Sequence, residues 1–166
     1  MMLSLPQIVE RPEQAYAYLP FRVRMDEMKL PADQGFPKLF GFLGEQGIAP
    51  SSAPFYNYRR INMAETLDVE AGVPVAQPGQ EADGVRFGVL PAGRYVTLDW
   101  HGHYDALEQV TAMLIGWTRL VGLEFDMVEK AEGDHFACRL EIYETDPSEV
   151  PNPEDWVTTL AFKLKP

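Results

Sequence analysis

Residues 94–121 read RYVTLDWHGHYDALEQVTAMLIGWTRLV, and two periodicities meet inside them. From Arg94 to Trp100 apolar and polar residues alternate, as in a strand with one face buried. From Tyr104 to Val121 the apolar residues Tyr104, Leu107, Val110, Leu114, Trp117 and Val121 step by threes and fours, which predicts an amphipathic helix. Gly122 follows as a helix stop. Downstream, residues 136–143 and 157–164 read as strands, separated by a Pro-rich loop over 146–155. The same grammar is written once before. Residues 7–12 and 15–19 read as strand. Residues 33–47 carry Phe36, Leu39, Phe40 and Leu43 on one helical face, with Pro37 suited to the first turn and Gly47 to the end. Strands are then expected over 55–61 and 65–71. Residues 72–84, GVPVAQPGQEADG, read as the connector.

These patterns predict an α+β fold: two β-α-β-β repeats forming a curved antiparallel sheet, with two main helices on one face. A single domain over residues 1–166 is expected, its halves covering about 1–78 and 79–166.

Composition bounds the function. The net charge of −11 disfavours direct nucleic-acid binding and anionic membrane surfaces, and favours cations. One cysteine, Cys138, excludes an internal disulfide and a multi-cysteine metal site. No apolar run reaches the ~20 residues of a membrane span. Without a signal-peptide pattern, the expected location is a reducing cytoplasm.

Several segments resemble the GyrI-like small-molecule-binding family, which also supplies effector-binding domains to AraC- and MerR-type multidrug regulators. Asp68-Val69-Glu70 running into Gly72-Val73-Pro74-Val75 resembles its "d-x-E-x-G-V-P-V" segment. Leu90-Pro91-Ala92-Gly93-Arg94-Tyr95 resembles "l-P-a-G-x-y", and Gly102-His103-Tyr104-Asp105-Ala106-Leu107 resembles "G-p-Y-d-x-L". Arg139-Leu140-Glu141-Ile142-Tyr143 before Asp146-Pro147 resembles "r-E-x-Y-x-x-d-P", and residues 156–164 resemble the closing "w-x-T-e-i-y-i-P-l". The chain departs from the family at Thr159, Ala161 and Lys163, where Glu, Tyr and Pro are common, and at His103, where Pro is common.

The resemblance implies a central ligand groove holding Glu141 as its buried acid. A carboxylate among rings has lost its water and calls for a cation, and a lipophilic aromatic cation supplies one. Alternation along 137–143 places Ala137, Arg139, Glu141 and Tyr143 on one face. Cys138, Leu140 and Ile142 fall on the other, expected to pack under the helices. In the last strand Leu160, Phe162 and Leu164 form the apolar face, with Thr159 and Ala161 opposite. Candidate ligand-binding residues are therefore Glu141, Tyr143, Arg139, Tyr56, Tyr58, Tyr95, Trp100, Trp156 and Ala161. On pattern alone, a Glu141–Arg139 pair on a solvated sheet is the competing reading.

Asp99, His101, His103 and Asp105 alternate like metal ligands, but Gly102 puts a strand-to-helix turn among them, where polar side chains cap the helix start. No metal and no cofactor is expected.

The leading expectation is a stand-alone binder of amphipathic, cationic aromatic small molecules, for drug sequestration or effector sensing with a separate regulator. The resemblance also implies two alternatives. One is a hydrolase of electrophilic cyclopropane compounds, with Glu141 directing water and Tyr143 donating a proton. The other is a protein that protects or inhibits DNA gyrase.

Overall fold

The computed structural model describes residues 2–166. The strands are β1 (Met2–Leu3), β2 (Gln7–Arg11), β3 (Gln14–Val23), β4 (Phe55–Ile61), β5 (Leu67–Pro74), β6 (Arg86–Leu90), β7 (Gly93–His101), β8 (Met127–Lys130), β9 (Gly133–Phe136), β10 (Arg139–Tyr143) and β11 (Val157–Lys163). The helices are α1 (Phe36–Glu45), after β3, and α2 (Leu107–Leu120), after β7. All strands pair antiparallel in one open, curved sheet with the order β1-β7-β11-β10-β4-β5-β3-β6. Strand β2 adds to β7, and the β8–β9 hairpin pairs with the end of β4. The fold is α+β, as the patterning predicts.

The order places β7-β11-β10 beside β4-β5-β3, so the two halves meet where β10 pairs with β4. Helix α1 covers the first half: Leu39, Phe42 and Leu43 pack on Ala17, Leu19, Val73 and Val75. Helix α2 covers the second, with Leu107, Val110 and Leu114 on Val96, Leu98, Leu160 and Phe162. Each such aliphatic side chain contributes about 1.5–3 kcal/mol on burial. Both helices end alike. Gly47 and Gly122 adopt φ values of +69° and +79°, and the next residue's N–H reaches back, Ile48 to Leu43 O at 2.9 Å and Leu123 to Thr118 O at 3.0 Å. A left-handed residue followed by this 6→1 bond is the glycine-terminated helix end.

Five sequence expectations are corrected. The helical backbone that runs into α1 begins at Leu30, ahead of residue 33, and forms a wide turn over Pro31–Gly35. Pro37 has no N–H to return to the carbonyl of residue 33, so regular α-helix starts only around it. Residues 72–74 continue β5 rather than opening a connector, and residues 7–12 and 15–19 belong to two separate strands. Residues 136–143 break in two because β9 turns away to pair with β8, while Ala137 N–H and Cys138 O bond Asp126 O and Lys163 N–H at 2.9 Å each.

The fifth correction concerns faces. Glu141 opposes Leu160 and Tyr56, whereas Leu140 opposes Ala161 and Asn57. Hence Leu160 and Phe162 share the helix-side face with Glu141. Cys138, Leu140 and Ile142 form a cluster on the far face with Tyr16, Phe55, Leu90 and Tyr95. The curved sheet buries that row against itself, which alternation alone does not reveal.

Candidate functional site

On the helix side of the sheet, the middle of β4 and β10 lies buried at the seam where the two halves meet. Alternation there brings Tyr56 and Tyr58 of β4 beside Arg139, Glu141 and Tyr143 of β10. Glu141 is only 8 % exposed. Its Oε1 accepts two hydrogen bonds, from Tyr143 OH at 2.5 Å and from Tyr58 OH at 3.2 Å. Among the described residues Oε2 receives none. Burial pushes the Glu141 carboxyl above its ordinary value; the bonds from Tyr143 and Tyr58, then the charge of Arg139, oppose this. Burial and the neighbouring carboxylate hold both phenols well above 10, so they are neutral donors.

Rings enclose the carboxylate. Tyr143 meets Tyr56 edge-on at 5.3 Å and Tyr104 at 5.6 Å, and Tyr104 lies 4.8 Å from Trp156. Tyr58 meets Tyr56 edge-on at 6.1 Å. Phe36, at the first turn of α1, approaches Tyr56 at 5.9 Å and Tyr143 at 6.2 Å. The hydroxyl of Tyr56 is committed elsewhere: it donates to Met28 O and accepts from Ala32 N–H, both at 2.8 Å, pinning the turn before α1. Trp156 donates to Val150 O at 2.8 Å, which anchors its loop over Tyr104.

The structure thus brings Glu141, Tyr143, Tyr56, Tyr58 and Trp156 together, with Arg139 over the Tyr58 ring at 5.6 Å. Three other candidates lie elsewhere. Ala161 and Tyr95 are on the far face, where Tyr95 OH donates to Pro91 O at 2.6 Å. Ala161 opposes Leu140, not Glu141, so register alone removes it from the ring cluster. Trp100 is core beneath α2, its Nε1 donating to His103 O at 3.0 Å.

Sequence reasoning missed Phe36 and Tyr104, both read as stripe residues of a helix. Each stands at a helix start, where the stripe turns toward the seam. It also missed a second buried carboxylate, Glu70, which accepts from Tyr16 OH at 2.6 Å and Asn57 Nδ2 at 3.0 Å on the far face. Those bonds tie β3, β4 and β5 together. A recess of about 180 Å³ lies on that face beside Arg11, Tyr95 and Ile142.

The Asp99–Asp105 group does not converge. Asp99 accepts from Thr159 at 2.7 Å, while His103 Nδ1 accepts the Asp105 N–H at 3.0 Å and caps the turn leading into α2. Among the described residues no group of His, Cys, Asp and Glu is placed to hold a metal ion. Among the described residues no helix is long and apolar enough to cross a membrane.

Solved structures share the fold. The EcmrR C-terminal domain superposes with a TM-score of 0.72 at 21 % identity, covering 99 % of each chain. EcmrR bound to DNA gives 0.76 at 19 % identity over 97 % of this chain, which spans 57 % of EcmrR. SAV2435, solved with tetraphenylphosphonium, gives 0.62 at 8 % identity, covering 98 % of this chain and 94 % of that one. A hydrolase from Listeria innocua gives 0.61 at 13 % identity, over 96 % and 91 % respectively. No functionally curated protein matches the sequence. The family model for the GyrI-like small molecule binding domain matches residues 5–165, and the chain belongs to that family.

Proposed function

We propose that this chain binds amphipathic, cationic aromatic small molecules at the ring cluster, with Glu141 as the countercharge. One observation carries the reading: among the described residues a buried carboxylate receives hydrogen bonds only from two phenols, and its second oxygen has no donor. A delocalised cation meets Oε2, and its rings replace the contacts that Phe36 and Tyr104 make with Tyr143. Such a site selects for positive charge and flatness and tolerates variation in outline. The acidic surface adds long-range attraction. That SAV2435 was solved with tetraphenylphosphonium supports the same ligand class.

Fluorescence titration with rhodamine 6G and tetraphenylphosphonium tests this reading. Micromolar, saturable binding that a neutral dye of the same outline lacks is the expected result. A flat titration with both cations overturns it.

A second reading draws on the contact between Tyr143 OH and Glu141 and on the likeness to a hydrolase. Glu141 would take a proton from water as the water oxygen attacks a strained electrophilic carbon. Tyr143 would deliver its proton to the carbon released, and is then reprotonated from Glu141. Loss of a cyclopropane substrate, followed by mass spectrometry, distinguishes turnover from binding.

A further inference from the structure

Two residues before Glu141, on the same face of β10, stands a guanidinium that Glu141 and Asp134 influence by charge but that forms no ion pair among the described residues. The Arg139 guanidinium is wedged among rings, 4.8 Å from the centroid of Phe162, 4.9 Å from Phe136 and 5.6 Å from Tyr58. Its Nε is sealed from solvent and has no hydrogen-bond partner among the described residues. Burial lowers its pKa, against the opposing influence of Tyr58, Glu141 and Asp134. The side chain lines a cavity of about 90 Å³ together with Arg119, Asp134, Phe125 and Ile115. At roughly 30 Å³ per water, that space takes a group of a few heavy atoms. Arg119, in the last turn of α2, is exposed and also lines this cavity. Asp134 is its only acidic lining residue and forms no ion pair with either arginine among the described residues.

We propose that this cavity is an oxyanion subsite, in which Arg139 and Arg119 receive a carboxylate. A guanidinium in apolar surroundings forms a short, charge-assisted bond to a carboxylate, and its fork geometry suits that planar group. The carboxylate comes from one of two sources: a free small acid, or the acid group of a zwitterionic guest whose cationic part reaches Glu141. Tyr58 spans the two positions, its ring beneath Arg139 and its hydroxyl on Glu141. Only the second source rests on the function proposed above.

The experiment has two arms on the full chain. In the first, the Arg139 Nε–H signal is followed by NMR during titration with benzoate. A saturable shift at millimolar benzoate is expected, weakened by Arg119→Gln and strengthened by Asp134→Asn. A signal that does not move, or moves equally with chloride, overturns the proposal. The second arm compares rhodamine 6G with its free acid. Arg139→Gln should weaken the free acid by about tenfold relative to the ester. Arg119→Gln, at an exposed position, should shift the ratio in the same direction without challenging the fold. If benzoate shifts Arg139 but the dye ratio stays constant, the subsite takes free acids and the zwitterion source is wrong. If neither dye binds while benzoate does, the function proposed for Glu141 falls and the oxyanion subsite stands.

Discussion

Replacing Glu141 by Gln removes one charge and keeps the shape of the side chain. A cationic centre about 5 Å from the carboxylate is attracted by about 3 kcal/mol at an effective dielectric of about 20. The guest surrenders part of its own hydration on entry, so roughly 1.4–2.8 kcal/mol should survive, a ten- to hundredfold loss of affinity. The dependence on pH follows from burial, which raises the Glu141 pKa above the ordinary 4.5. The cation binds the ionised form. Wild-type affinity should therefore climb as pH rises through the elevated value, with protons released on binding, while the Gln variant stays flat. The free fold behaves in the opposite sense. An acid with a raised pKa contributes its stability at low pH and loses it as pH passes that pKa. The Gln variant should thus melt no lower than wild type at neutral pH, which separates lost binding from lost folding. Rhodamine 6G fluorescence titrations across this pH range, paired with thermal melts, make the measurement. Wild-type affinity in the Gln variant at neutral pH would refute the assignment of Glu141 as countercharge.

Other consequences follow from individual contacts. Tyr58→Phe and Tyr143→Phe each delete a bond to the ionised form of Glu141, so each should move the pH midpoint of dye binding upward, and the double variant further. Leu114 is 0 % exposed beneath α2, so Leu114→Ala should cost about 2–5 kcal/mol, read by calorimetry as a fall of roughly 5–15 °C. Asp68 is held at about 2, first by its hydrogen bond from Arg22 and then by Arg60. Its contribution is full above 3.8 and disappears as pH falls through about 2, so acid denaturation of Asp68→Asn should lose that step. Burial pushes the Cys138 thiol up to about 11, so the folded protein should resist a thiol reagent at pH 8 and react on denaturation.

What could be read without coordinates was whatever one element carries by itself. The stripe Leu107–Val110–Leu114 and the stops at Gly47 and Gly122 defined both helices, because helical period and left-handed backbone are local properties. Alternation around Glu141 separated Arg139, Glu141 and Tyr143 from Leu140 and Ile142, because the strand period is two. Which of those rows faces the helices was decided only by register, Glu141 against Leu160 and Tyr56. Register depends on how β10 pairs with strands distant in the chain, and the sheet's curvature lets the apolar row find a core of its own. Tertiary structure likewise delivered Phe36 and Tyr104 to the carboxylate and sent Tyr95 and Ala161 to the other side. A side chain's chemistry is written in its residue type, but its neighbours are set by which strands pair and which faces close.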